Sequence, residues 1–144
     1  RSVDLTSNAW AYHGLACLYL KSDPEKAKQF IMEGMALQRE RLSYQKEGFK
    51  ILEKCGAYKE IDEEYKKQTA ENQKNGRIQY YYVAALEKLE RNEEAYHLLN
   101  DGNGIDVSDI REGDSDIQSI WESLHEKVYG EKGHLPHYYN FKVN

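Results

Sequence analysis

The stretch RIQYYYVAALEKLERNEEAYHLLNDG, residues Arg77–Gly102, carries the strongest folding signal in this sequence. It reads as two short helices joined by the polar turn Glu90–Arg91–Asn92. Four apolar or small residues mark its packing face: Leu86, Ala95, Leu99 and Gly102. Moving this pattern 34 residues toward the N-terminus places it on Leu52, Ile61, Tyr65 and Gln68. A second move of 34 residues places it on Leu18, Ala27, Ile31 and Gly34. A helix–turn–helix pattern with a period of about 34 residues predicts a stack of helical repeats.

The period divides the chain into three predicted repeats within a single domain that spans residues 1–144. The repeats cover about residues 6–37, 40–70 and 77–102. The fold class we predict is all-α, a right-handed superhelix in which Leu18, Leu52 and Leu86 occupy equivalent buried sites. The segment 71–76, ENQKNG, is predicted to be a polar turn between the second and third repeats.

Three further segments follow the repeats. Residues 101–114 are predicted to form an acidic, glycine-rich loop. A capping helix is predicted over residues 115–129, because its apolar residues recur at helical spacing and would cover the open face of the last repeat. These residues are Ile117, Ile120, Trp121, Leu124 and Val128. The tail 130–144 carries five apolar residues, which predicts that it is ordered and packs back on the domain.

Composition excludes several classes of function. The chain has 25 acidic and 20 basic residues, a formal charge of −5, whereas a general nucleic-acid-binding protein needs a basic face. No apolar run reaches the roughly 18 residues of a membrane helix. Cys17 and Cys55 are too few for a disulfide scaffold and are predicted to be reduced packing residues. Because the chain begins at Arg1 without a methionine, we expect a fragment or processed product. The compartment stays open, with the cytoplasm slightly favoured.

The candidate metal ligands form weak patterns. The loop imitates the oxygen spacing of a calcium site at Asp101, Asn103, Asp109 and Glu112. However, Ile105 and Asp106 stand where a ligand and the bending glycine are needed. His134 and His137 are too few ligands for a zinc site. We therefore predict neither a metal ion nor another cofactor.

Catalytic patterns are equally weak. His13, His97 and His125 fall on three different predicted helices without a paired carboxylate. A catalytic pair of either cysteine with a histidine remains an alternative. However, neither cysteine lies at a helix N-terminus, where the pKa of its thiol would fall. No glycine-rich phosphate loop or nucleophile elbow is present. The chain is therefore predicted not to be an enzyme, and any catalysis would reside in a missing N-terminal part.

A binding groove is the remaining candidate site. In stacked repeats of this kind, the first helix of each repeat lines the inner face. By register, the groove candidates are Tyr12, Tyr19, Lys46, Lys50, Glu53, Arg77, Tyr80 and Glu87. Tyrosine together with lysine suits a peptide that bears carboxylates or aromatic groups. We therefore predict a peptide or protein partner; a solvated face without a ligand, or a groove filled by the chain's own tail, are the alternatives.

The three units resemble tetratricopeptide repeats. The first carries Trp10, Gly14, Ala27, Ile31 and Gly34, and the third carries Ala85, Ala95 and Leu99. The second keeps Gly56, Tyr58 and Tyr65 but has Ile61 where a small residue is usual. Members of this family that clamp a C-terminal carboxylate use asparagine with lysine or arginine. Here Ala16, Lys50 and Ala84 stand at the asparagine positions, so the resemblance does not imply that mode of binding.

A narrower resemblance covers about residues 102–141. The segment Asp109–Asp114, the helix with Trp121 and the ending Leu135–Pro136…Phe141 are similar to the C-terminal region of large bacterial proteins. Those proteins carry a β-sandwich part of uncharacterised function, suspected to act on or bind carbohydrate, ahead of a tetratricopeptide region. The resemblances imply a non-enzymatic protein–protein interaction or scaffolding module in a larger bacterial protein, whose own N-terminal domain could be the partner. The alternatives are an accessory region of a carbohydrate-active or carbohydrate-binding protein and a self-association module that forms homo-oligomers.

Overall fold

The computed structural model describes residues 2–101, 104–106, 114–131 and 133, without the side chains of residues 2–6 and 114–116. These residues form eight helices and no strand, which confirms the all-α prediction. The helices are α1 Ser2–Tyr19, α2 Pro24–Leu37, α3 Leu42–Lys54, α4 Tyr58–Lys66, α5 Ala70–Gln73, α6 Gly76–Lys88, α7 Asn92–Asn100 and α8 Asp114–Tyr129. Contacts group them into two compact units, Arg1–Gln73 and Lys74–Asn144.

In the first unit, α1 packs along α2, and α3 packs against α1, α2 and α4. Tyr44 of α3 is completely buried, and its hydroxyl donates a hydrogen bond to the carbonyl oxygen of Ala9 at 2.5 Å. The ring crosses α2 at Gly34, where an added methyl group would overlap the Tyr44 hydroxyl and ring. A small residue at position 34 is therefore what allows α3 to approach α2 this closely.

A buried amide fastens the end of α2 in the same unit. Gln45 is fully buried, and its Nε2 donates to the carbonyl oxygens of Met35 at 3.1 Å and Gln38 at 2.7 Å. Its Oε1 accepts from Gln68 Nε2 at 2.7 Å. The last carbonyls of a helix have no partner within that helix, so these bonds satisfy groups that burial would otherwise leave unpaired.

The helix pairs α3–α4 and α6–α7 share several local features and begin one sequence period apart. Each pair has a helix of 13 residues followed by one of 9 residues. The turn residues Gly56 and Glu90 both have positive φ, 69° and 63°. The next amide then returns to the preceding helix, from Ala57 to the Leu52 carbonyl at 3.0 Å and from Arg91 to the Leu86 carbonyl at 2.9 Å. The sequence period is thus matched in the structure by repeated helix lengths, turn conformation and capping bonds.

The first helix pair departs from this pattern, and the prediction of equivalent burial is wrong there. Leu52 and Leu86 are fully buried, but Leu18 is 71% exposed. The physical reason is that α1 packs against α2 and α3 through Ala9 and Ala16, which leaves Leu18 on the opposite side of the helix. The repeat period determines where a residue lies on its helix, but the residue is buried only if another helix packs on that side.

The link between the second and third predicted repeats also differs from the prediction. Part of the segment predicted as a turn is the short helix α5, Ala70–Gln73. The Thr69 side chain starts this helix by accepting a hydrogen bond from the amide of Asn72 at 3.0 Å. Asn75 then caps α6 by accepting from the amide of Ile78 at 3.1 Å. Two side-chain caps in succession explain why a polar stretch contains helix.

In the second unit, α8 packs against both α6 and α7. Its buried apolar residues lie on one face: Ile117, Ile120, Trp121 and Leu124. Trp121 Nε1 donates to Asn100 Oδ1 on α7 at 2.9 Å, and Ser123 Oγ donates to Glu87 Oε2 on α6 at 2.6 Å. Apolar burial and these two bonds therefore hold α8 in register on its neighbours.

Candidate interaction surface

The exposed side of α1 carries no charged residue from Ser7 to Tyr19, the part of the helix whose side chains the structure describes. Between Leu5 and Leu20 the sequence contains no aspartate, glutamate, lysine or arginine, although such residues make up 31% of the chain. Trp10 is 39% exposed, Leu15 36% and Leu18 71%. Three further exposed residues on this side of the helix are small or apolar: Ala11, Gly14 and Cys17. We call these six residues the α1 face. An exposed apolar area bounded by otherwise charged surface is characteristic of an interaction site.

Aromatic contacts hold one edge of the α1 face in place. The Trp10 ring meets the buried Tyr44 ring edge to face, with centroids 4.7 Å apart and an interplanar angle of 63°. It meets the His13 ring in the same way at 5.2 Å and 68°. Pairs of this geometry contribute about 0.5–1.5 kcal/mol beyond area burial. The exposed part of Trp10 is therefore presented by a supported ring, which reduces the entropy cost of binding.

A sulfur, an imidazole and a carboxylate meet beside this edge. Cys17 Sγ lies 4.0 Å from His13 Nδ1, and His13 Nε2 lies 3.3 Å from Glu47 Oε1. This corrects two sequence-based expectations: His13 has a carboxylate partner, and Cys17 is exposed rather than packed. The signal was present in the sequence, because His13 and Glu47 are 34 residues apart and hold the same register position in successive predicted repeats.

The groove candidates in the first unit partly serve packing. The rings of Tyr12 and Tyr19 lie 6.1 Å and 5.8 Å from the Phe30 ring of α2. Lys26 Nζ stands 4.9 Å above the Tyr19 ring, a cation–π contact. The other candidates of this unit are on α3, where Lys50 is exposed and Lys46 and Glu53 are half-buried. Tyr12 and Tyr19 therefore help to join α1 to α2 whether or not a ligand binds.

In the second unit, Arg77 and Tyr80 of α6 are half-buried. Glu87 has a side chain that is only 14% exposed. Its Oε2 accepts hydrogen bonds from Ser123 at 2.6 Å and from Lys127 at 3.0 Å. This carboxylate is thus already engaged by α8, whereas a ligand-binding role would require it to exchange these bonds.

Ion pairs occupy the polar surface of the first unit. Glu64 is almost fully buried, and its Oε1 accepts from Arg39 at 2.6 Å. These two residues line a shallow cleft of about 290 Å³. Lys28 of α2 lies 2.9 Å from Glu25 and 3.1 Å from Glu60, and hydrogen bonds to these carboxylates raise the pKa of Lys28. These carboxylates therefore already have cationic partners within the first unit.

The two cysteines have different environments. Cys17 is exposed and Cys55 is half-buried, and both are free thiols. Burial raises the pKa of the Cys55 thiol because the thiolate would lose hydration. Burial also raises the pKa of Tyr44, so that its hydroxyl remains protonated beside Cys17 and His13.

Other sequence-based candidates lie outside the described residues. These are Asn103, Asp109 and Glu112 of the loop and His134 and His137 of the tail. Within the described part of the chain, no group of three or more histidine, cysteine, aspartate or glutamate side chains is arranged to hold a metal ion. None of the helices described is both long enough and apolar enough to span a membrane.

Comparison of the chain with protein-family models, with curated proteins and with solved structures found no match. The interpretation of function therefore depends on the geometry of the chain itself.

Proposed function

We propose that this chain is a non-enzymatic protein-interaction module built as a tetratricopeptide-like superhelix. Support comes from the repeated α3–α4 and α6–α7 pairs, which share helix lengths and turn conformation. Support for a third unit, α1–α2, comes from Ala27, Ile61 and Ala95, which recur at the repeat period and are all buried. Repeats of this kind stack to build extended binding surfaces rather than enclosed catalytic pockets.

The observation that carries the proposal is the uncharged, exposed α1 face. A solvated helix in a chain this rich in charge would be expected to show charged residues on its outer side. Burying a leucine side chain on binding contributes roughly 1.5–3 kcal/mol, and Leu18 is exposed enough to retain most of that gain. The matching partner surface is a protein segment with an apolar, uncharged stripe, such as one face of an amphipathic helix.

Photo-crosslinking tests this assignment. Benzoylphenylalanine would replace Leu18 in one variant and the exposed Ser43 of α3 in a matched control. Extract from the source cells should yield a discrete adduct from position 18 only, which mass spectrometry identifies. Adding Leu15→Lys should remove the adduct, because an ammonium group would then be buried against an apolar partner. Equal labelling from positions 18 and 43, or an adduct that survives Leu15→Lys, would refute the α1 face as the binding surface.

Self-association is a second candidate, and the absence of charge on the α1 face favours it. The chain carries a net charge of −5, so two copies repel each other most where acidic residues concentrate. Pairing through the uncharged side of α1 avoids that repulsion, and a twofold axis would let the same patch serve both copies.

Sedimentation velocity over a wide range of protein concentration decides whether self-association occurs. The native chain and a Ser43→Lys control should both form a dimer as concentration rises. Leu18→Lys should shift the dimer midpoint upward by about a hundredfold or more, because a twofold interface loses one buried leucine from each copy, about 3 kcal/mol in total. A native chain that stays monomeric throughout, or a Leu18→Lys dimer of unchanged strength, rejects self-association through α1.

A further inference from the structure

The cluster of Cys17, His13 and Glu47 has the connectivity of an activated thiol. The sulfur faces Nδ1 of the imidazole at 4.0 Å, and the opposite nitrogen, Nε2, faces a carboxylate oxygen at 3.3 Å. A nucleophile next to a base, with the base oriented by a third group, is the arrangement by which proteins activate thiols. Cys17 and His13 are one helical turn apart on α1, and Glu47 comes from α3.

We propose that Cys17 is a nucleophilic thiol, activated by His13 as general base, and that it is modified by small disulfides. In the step, His13 Nδ1 takes the thiol proton as Cys17 Sγ attacks one sulfur of R–S–S–R. The new S–S bond forms while the old one breaks, and the leaving thiolate takes the proton from His13. The products are the mixed disulfide Cys17–S–S–R and R–SH. The Cys17 sulfur is oxidised as the leaving sulfur is reduced, so no further oxidant is required.

The ring of His13 is held in the orientation that this step needs. Glu47 can accept a hydrogen bond only from a protonated Nε2, which leaves the lone pair of Nδ1 directed toward the sulfur. When Nδ1 takes the proton, the same carboxylate faces the resulting positive charge. Edge-to-face contacts with Trp10 at 5.2 Å and Tyr44 at 6.3 Å restrict rotation of the ring.

Other groups near Cys17 do not provide activation. The residue lies in the last turn of α1, where the helix dipole disfavours a thiolate. Tyr44 is neutral, because burial raises the pKa of its hydroxyl. His13 is thus the described neighbour that accounts for activation, and this makes the inference testable by a single substitution.

The chain supplies its own reference thiol. Cys55 is half-buried, and burial raises its pKa, which lowers the fraction present as reactive thiolate. Cys55→Ser leaves Cys17 as the sole thiol, and Cys17→Ser leaves Cys55. The uncharged disulfide 4,4′-dithiodipyridine is a suitable probe, because its released thione is measured directly by absorbance and no charged group on the reagent biases the comparison.

At neutral pH, Cys17 is expected to react at least about tenfold faster than Cys55. In the Cys55→Ser background, His13→Gln should slow the reaction by about tenfold or more, and Glu47→Gln by a smaller factor. Glu33→Gln, which changes an exposed carboxylate on α2, is the matched control and should leave the rate unchanged. Circular dichroism and thermal melting identify any variant that has lost its fold.

The dependence of rate on pH separates activation from a merely structural effect. With His13 present, the rate should depend less steeply on pH than in His13→Gln, because without the imidazole the thiol must lose its proton to solvent before it attacks. Intact-mass analysis after exposure to oxidised glutathione should show one adduct, located on Cys17. Equal rates for Cys17 and Cys55, or a folded His13→Gln variant with an unchanged rate and pH profile, would overturn the proposal.

Discussion

Replacing Glu90 by glycine is expected to stabilise the chain. Glu90 adopts φ of 63° after α6, at the position that Gly56 occupies after α3 with φ of 69°. In this left-handed conformation the Cβ of an L residue crowds its own carbonyl oxygen, which costs about 1–2 kcal/mol. Glycine relieves the crowding, but the unfolded chain gains freedom worth about 0.5–1 kcal/mol. The net increase in the free energy of unfolding should be about 0.5–1 kcal/mol.

The equivalent turn provides the reverse experiment. Gly56→Glu should lower the free energy of unfolding by a similar amount, because the two turns share their conformation and capping bond. Glu90→Ala is the control that removes the carboxylate but keeps Cβ, so it should change stability little. Urea unfolding followed by circular dichroism measures all three, and in a Trp10→Phe background Trp121 fluorescence reports on the unit that contains Glu90. If Glu90→Gly is no more stable than Glu90→Ala, or if Gly56→Glu is tolerated without loss, the argument from turn strain fails.

Two further substitutions probe the first unit. Gly34→Ala should lower the free energy of unfolding, measured by urea titration, by about 1–3 kcal/mol, because the added methyl group overlaps the Tyr44 ring and hydroxyl. Adding Tyr44→Phe should recover part of that loss. Strictly additive effects of the two substitutions would contradict the proposed overlap. Because the pKa of Lys28 is raised from 10.5 by Glu25 and Glu60, the folded chain holds this proton more tightly than the unfolded chain. The resulting stability is present below pH 10.5 and is lost as pH rises through the raised pKa. The difference in unfolding free energy between the native chain and Lys28→Met should therefore shrink above that pH; a constant difference would contradict the linkage.

Local signals in the sequence predicted the helix pairs well. Asp23 and Asn75 cap α2 and α6 with their side chains, as their residue types suggest. The repeat period located the second turn at Glu90 even though glutamate, unlike Gly56, gives no sign of a positive φ. Helix boundaries depend on nearby residues and on repetition, and both are visible in a single sequence.

Features that depend on distant neighbours were predicted less well. Leu18 has the register of a core residue, but the helices that pack on α1 lie on its other side. The approach of His13 to Glu47 has no local signal, because the two residues lie on separate helices and are related only by the repeat spacing. Exposure of Cys17 has the same origin as exposure of Leu18, since both residues lie on the α1 face. The predicted superhelix and the binding groove remain predictions.

The matching turns after α3 and α6 also bear on how such a gene can change. A deletion or duplication of exactly one repeat's length of codons, with both breakpoints at equivalent positions, would leave each remaining helix with its original length and rotational phase. The turn would be rebuilt from whichever copy supplied it, because Gly56 and Glu90 direct the chain in the same way. Recombination in whole units would thus preserve the local conformation of the turn.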